Sequence, residues 1–137
     1  MNALREIHTH KAAGSANKMI RVFPEDEPGP GGAHWHYCIN IQTPDGKSST
    51  DVHLRFHYGE LFTDTGKGQK PKANPLKGIT NEALLAVVID RMEAFNKGEF
   101  ACRENSLAIT KLQEALLWLM FRSLSRADRG VEGSHKP

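Results

Sequence analysis

The sequence predicts an α+β protein, with a small N-terminal antiparallel β-sheet followed by a long C-terminal α-helical hairpin. Two patterns predict it. Between residues 34 and 58 apolar and polar side chains alternate with a period of two, as in a strand with one buried face. Between residues 79 and 130 apolar residues recur every three or four positions, in two runs separated at Gly98. Pro- and Gly-rich stretches punctuate the chain. They divide it into an N-terminal arm and loop (1–33), a small β region with its loop (34–78), and a helical hairpin with a C-terminal tail (79–137).

Residues 1–33 carry few signals. About the first 15 read as a poorly ordered arm, followed by a short β-prone piece from Met19 to Phe23. The run PEDEPGPGG at 24–32 is a loop, because proline and glycine interrupt any ladder. The β region reads as a hairpin. Trp35, Tyr37, Ile39 and Ile41 alternate with His34, His36, Cys38 and Asn40. Pro44-Asp45-Gly46-Lys47 makes the turn, since proline presets φ and glycine accepts the left-handed position. Val52, Leu54, Phe56 and Tyr58 then alternate with His53, Arg55 and His57. One face is apolar and the other is rich in His and Arg. A polar loop follows over 63–78.

The helical signal is the strongest in the chain. Thr80 suits an N-cap, because its hydroxyl can accept from an orphan N–H of the first turn. Leu85, Val88, Met92 and Phe95 form a stripe, widened by Leu84 and Ile89, and Gly98 ends the first helix. In the second, Ile109, Leu112, Leu116 and Leu119 run down one side, with Ala108, Ala115, Trp118 and Met120 beside them, as far as Gly130. At 1.5 Å per residue the second helix is about 40 Å long and the first about 25 Å. The longer helix therefore projects beyond its partner, and its unpaired apolar stretch should pack on the sheet or on another subunit.

Composition narrows the function. The chain has 137 residues, 39% of them hydrophobic, which suits one globular domain rather than extended disorder. The formal charge of +2 is too small for a general nucleic-acid binder. No apolar run is long enough to span a membrane, and MNALREIHTHK lacks the apolar core of a signal peptide, so a soluble, unsecreted chain is expected. The cysteines, Cys38 and Cys102, lie in different segments and form no disulfide framework.

Four candidate chemistries follow. His34, His36, His53 and His57 share the polar sheet face and could hold a metal, which would make the protein a His-dependent metalloenzyme. No carboxylate sits at helpful spacing, however, and the plainer reading is a solvated polar face. Gly66-Lys67-Gly68 lacks Walker spacing and reads as a flexible loop. Cys102, at a helix start, could have a lowered pKa, but it reads better as a small buried residue. Arg122, Arg126 and Arg129 are spaced i, i+4 and i+7 and share one helix face. They complement the negative end of the helix dipole and are equally suited to bidentate phosphate contacts. The tail after Gly130 can fold back and offer its amides to a phosphate. With no carboxylate pair or Ser/His/Asp arrangement, the residues favour a binding protein with no catalytic residue, metal or cofactor.

The helical segments also carry a resemblance. GITNEALLAVVIDRMEAF at 78–95, GEFACRENSLAITKLQEAL at 98–116 and RGVEG at 129–133 resemble the phage anti-Thoeris signal-sponge family, which shares its hairpin with the phage anti-CBASS sponges. HYCINI, DGK, LRF and YGEL upstream look like the β part of the same family, so the resemblance covers about 34–136. It implies a non-enzymatic protein of the infected bacterial cytoplasm. Such a protein binds glycocyclic ADP-ribose and, in some members, cyclic oligonucleotides at a separate site, and it assembles as a homodimer building to a hexamer. The residues matching the signal pocket are Phe95, Asn105 and Arg122, with Arg129 and Lys136 in the tail region. In these roles Phe95 stacks on adenine, Asn105 bonds a ribose or base edge, and the basic groups neutralise the pyrophosphate.

Overall fold

A computed structural model describes residues 5–134 and 136–137. The chain divides into two compact units, Met1–Tyr58 and Gly59–Pro137.

The first unit is a three-stranded antiparallel sheet in the order β1-β2-β3, with β1 Ile20–Pro24, β2 His36–Gln42 and β3 Ser49–Arg55. The β2–β3 hairpin pairs Tyr37 with Leu54, Ile39 with Val52 and Ile41 with Thr50. Its turn is held by Asp45, whose carboxylate accepts from the Lys47 N–H at 2.9 Å and from the Thr43 hydroxyl at 2.6 Å. Gly46, at φ +72°, takes the left-handed position that the sequence assigned to it.

The β-prone piece read at 19–23 forms the third strand, one residue further on. Val22 pairs with Ile39 and Phe23 with Cys38, and the Ile7 N–H donates to the Val22 carbonyl at 2.8 Å. Two 3₁₀ turns, Thr9–Ala12 and Ala16–Met19, precede it, and His10 Nε2 lies 2.7 Å from the Ile20 carbonyl oxygen. A five-residue apolar piece is a weak signal in isolation. It becomes a strand because β2 would otherwise leave one edge of a small sheet unpaired. The loop at 24–35 is also ordered. Asp26 accepts from the Trp35 N–H at 3.0 Å, and Gly29 lies against the Trp35 indole.

Packing does not follow the simple division into apolar and polar faces. Cys38 points to the face that carries His36, His53 and Arg55, yet it is 2% exposed. With Pro24 it is one of the two largest fully buried side chains among the described residues.

The second unit begins with a short ladder, β4 Phe62–Thr63 against β5 Lys72–Ala73, which starts one residue before the stretch read as a polar loop over 63–78 and continues into it. Helix α1, Asn81–Phe95, starts at Thr80, whose Oγ1 accepts from the Ala83 N–H at 3.1 Å. Helix α2 runs from Arg103 to Asp128. At 1.5 Å per residue they are about 22 and 39 Å long, so the inequality read from the sequence holds. They run antiparallel: Asn96 Nδ2 donates to Ser106 Oγ at 3.0 Å, and Gln113 Nε2 to Glu93 Oε1 at 3.1 Å. Among the described residues no helix is long and apolar enough to cross a membrane.

Candidate functional site

The hairpin turn gathers the first group of expected site residues. Asn96 closes the turn, its Oδ1 accepting from the Cys102 N–H at 3.2 Å. Cys102 has extended backbone angles and caps α2, its Sγ accepting from the Asn105 N–H at 3.4 Å. It is exposed, which corrects the reading of a buried cysteine. The position demands a side chain that accepts at the helix start, and a thiol does this weakly. Asn105 Nδ2 donates to the Phe100 carbonyl at 3.0 Å, which fixes its amide beside the turn.

Phe95, the last residue of α1, meets Phe100 edge to face, with ring centroids 6.4 Å apart and planes at 82°. The Arg91 guanidinium lies 5.7 Å from the centre of the Phe95 ring. Phe95 is 46% and Phe100 71% exposed, so these rings do not disappear into a core. Phe95, through its ring, and Asn105, through its amide, thus both meet Phe100 at the turn. Arg91 and Phe100 join them without having been singled out from the sequence. The i, i+4 spacing of Arg91 and Phe95 is the signal that points to the first of these.

The far end of α2 is organised by Arg126, which is 9% exposed. Its guanidinium Nη2 donates to the carbonyls of Val131 at 3.0 Å and Ser134 at 2.9 Å. Gly130 turns the chain at φ +72°, and the tail folds back. The Gly133 carbonyl then accepts from the Leu61 N–H at 2.8 Å, and Asn74 N–H donates to the Leu61 carbonyl at 2.8 Å. The tail is therefore tied both to its own helix and to the β4–β5 region. Gly133 sits at φ +70°, where a Cβ would fall 2.8 Å from Leu61 Cβ. The sequence placed Arg126 among three equivalent arginines, and the structure separates them. Arg126 is committed to tail carbonyls, whereas Arg122 is exposed. Arg129 is also exposed and donates to the Pro137 carbonyl at 3.0 Å. Lys136 is exposed, and its backbone N–H donates to Ser134 Oγ at 3.2 Å.

Phe95 and Asn105 do not meet Arg122 within one hairpin. Seventeen residues of continuous helix separate Asn105 from Arg122, about 25 Å at 1.5 Å per residue.

The histidines do not form the cluster that the alternation allowed. His34 Nδ1 lies 2.8 Å from the Asp26 carbonyl oxygen, and its ring meets Tyr37 edge to face. His53 Nδ1 instead pairs with Glu25 Oε2 at 2.9 Å, and this hydrogen bond raises the His53 pKa. The His34, His36, His53 and His57 set is thereby corrected. Among the described residues, the His/Cys/Asp/Glu group with ligand atoms close enough to share an ion is Glu25, Cys38 and His53. The pleat explains the difference: a directly opposed pair brings Cys38 to His53, and β1 adds a carboxylate that the hairpin alone lacks.

The fold defines an α+β protein that ends in an antiparallel helical hairpin with exposed aromatic and cationic groups. Residues 63–121 match the family described as Acb2/Tad1, hairpin domain. The chain is 43% identical over 91 residues to Thoeris anti-defense 1 of Bacillus phage SBSphiJ7, covering 66% of this chain and 64% of that relative. The match thus spans just under two thirds of the relative's length. The hairpin region is therefore similar to the Acb2/Tad1 hairpin domain, as its motifs led one to expect.

Proposed function

We propose that the protein is a phage anti-defence factor that binds the Thoeris signal glycocyclic ADP-ribose and sequesters it without degrading it. The observation that carries this reading is the match to the family's hairpin domain over 63–121, in a chain whose hairpin turn ties both Phe95 and Asn105 to Phe100. Phe95 stacks on the adenine. Asn105, which can both donate and accept, bonds a ribose or base edge. Arg122 neutralises the pyrophosphate, and Arg129 and Lys136 add positive charge from the end of α2 and the tail. Arg126 is a positioning residue: it holds the tail in place and does not itself meet the ligand. Cyclic oligonucleotides of CBASS systems are a second ligand class, at a separate site.

The 25 Å between the two groups makes the pocket a shared one. Two protomers packed antiparallel place the turn of one beside the Arg122 region of the other. The exposed apolar residues of α2 support this assembly: Trp118 is 64% exposed and packs edge to face on Phe121, with Leu117, Met120 and Leu124 around them. A surface of this kind is costly in water and is covered in a homodimer that builds to a hexamer.

The test is to saturate the protein with glycocyclic ADP-ribose, remove unbound ligand, denature the protein and analyse the released small molecule. Stoichiometric recovery of unaltered ligand is expected. Recovery of a cleaved product would make the protein an enzyme, and failure to retain the ligand would refute the reading.

A further inference from the structure

The sheet unit carries a ligand constellation that the hairpin's function does not use. Cys38, at the centre of β2, directly opposes His53 on β3. Glu25 follows β1, and its N–H donates to the His36 carbonyl at 2.9 Å, which keeps it in register beside the other two. One donor atom from each of Glu25, Cys38 and His53 lies within 4.8 Å of the other two. We propose that Glu25, Cys38 and His53 form a binding site for a single divalent metal ion of the zinc class.

The donor chemistry selects the metal. A thiolate, an imidazole and a carboxylate are all zinc ligands, at about 2.0–2.3 Å, and the sulfur disfavours magnesium and calcium. Tetrahedral zinc holds its ligand atoms about 3.5 Å apart by the same bond lengths. Small side-chain rotations reach this from the present spacing, in which His53 Nδ1 and Glu25 Oε2 are 2.9 Å apart. Thiolate and carboxylate together balance the charge of the ion. Three protein ligands leave a fourth position open.

The surroundings fit as well. The Asp51 and Glu25 carboxylates both act on the Cys38 sulfur, and this negative surrounding favours a cation there. The Asp51 carboxylate, opposite Asn40 on β3, accepts from Asn40 Nδ2 at 2.6 Å. Pro24 and Cys38 are the sheet unit's largest fully buried side chains among the described residues. Sheets this small commonly gain stability from a bound metal, and this ion would join all three strands.

The test uses the full chain carrying Cys102→Ser, in which a hydroxyl replaces the thiol that caps α2 and Cys38 is the remaining thiol. The protein is stripped with a chelator and titrated with cobalt(II), and the sulfur-to-cobalt charge-transfer absorption is followed. The expected result is one cobalt per chain, displaced by zinc(II), with a zinc-dependent rise in melting temperature. His53→Gln and Glu25→Gln change side chains at a partly open site, so both variants should fold. Each should weaken cobalt binding at least about tenfold. No charge-transfer band, or a band undiminished in either variant, would overturn the proposal and leave Glu25 and His53 as an ion pair over a buried cysteine.

Discussion

The two units are held together in different ways. In the sheet, β1, β2 and β3 pair in continuous register, and the aromatic residues pack on one another: Tyr37 meets Phe56 at 5.9 Å and Trp35 meets Tyr58 at 6.4 Å. In the hairpin, α1 buries no residue fully, and the buried residue of α2 is an arginine. Leu107, Leu117, Trp118, Met120, Phe121 and Leu124 all remain exposed along α2. The sheet is held by its strand ladder, although Ile41, Val52 and Tyr58 each remain 44% exposed. The hairpin leaves an apolar surface exposed along α2, and the proposed shared pocket depends on a second copy covering it.

The largest effect expected from breaking this contrast is at Arg126. Arg126→Ala removes two charge-assisted hydrogen bonds and leaves the Val131 and Ser134 carbonyls without that donor. It should lower unfolding stability by about 3 kcal/mol, the upper range for a hydrogen bond to a charged group. Urea unfolding measures the loss. Faster hydrogen exchange at the Leu61 amide, whose acceptor is the Gly133 carbonyl, would localise it to the tail. Unchanged exchange at Leu61 would mean that Arg126 does not hold the tail.

Next comes Gly29→Ala in the sheet unit. The added Cβ would lie 2.0 Å from Trp35 Nε1, so the indole must move. Overpacking of this kind destabilises by about 1–3 kcal/mol. Thermal unfolding should record it, and nucleotide binding by the hairpin should be unaffected. A smaller change, about 1 kcal/mol, is expected from Thr80→Ala, which removes the N-cap of α1. Thr80→Ser should restore it, and a Ser variant no better than Ala would show that the hydroxyl is not the relevant group.

Much of this was legible in the residues. The period-two alternation, the Asp45-Gly46 turn, the Thr80 cap and the unequal helices all rest on local chemistry and need no partner from elsewhere in the chain. What was not legible depends on distant pairing. Strand β1 exists because β2 accepts it, and Glu25 reaches Cys38 and His53 only through that third strand. Arg126 looks like Arg122 and Arg129 until the tail folds back. The exposed Cys102 misleads for a different reason: most cysteines are buried, and the requirement for a cap outweighed that tendency.

Assembly sharpens the same contrast. The chain should scatter light as a dimer or larger at micromolar concentration, and a monomer would leave the apolar face of α2 uncovered and the pocket incomplete. Phe95→Ala and Arg122→Ala should each weaken glycocyclic ADP-ribose binding by about 1–3 kcal/mol, the range for a stacked base or a hydrogen bond to a charged group. That is roughly five- to 150-fold. The most direct test joins the two substitutions in one assembly. The variants carry different tags, mixed dimers are isolated, and titration calorimetry counts the tight sites. If each pocket takes Phe95 from one subunit and Arg122 from the other, one site is doubly damaged and its partner is intact. Half of the sites should then bind with the affinity of the unmodified protein. A fraction of tight sites near zero would show that both residues serve one subunit's site and would contradict the shared pocket.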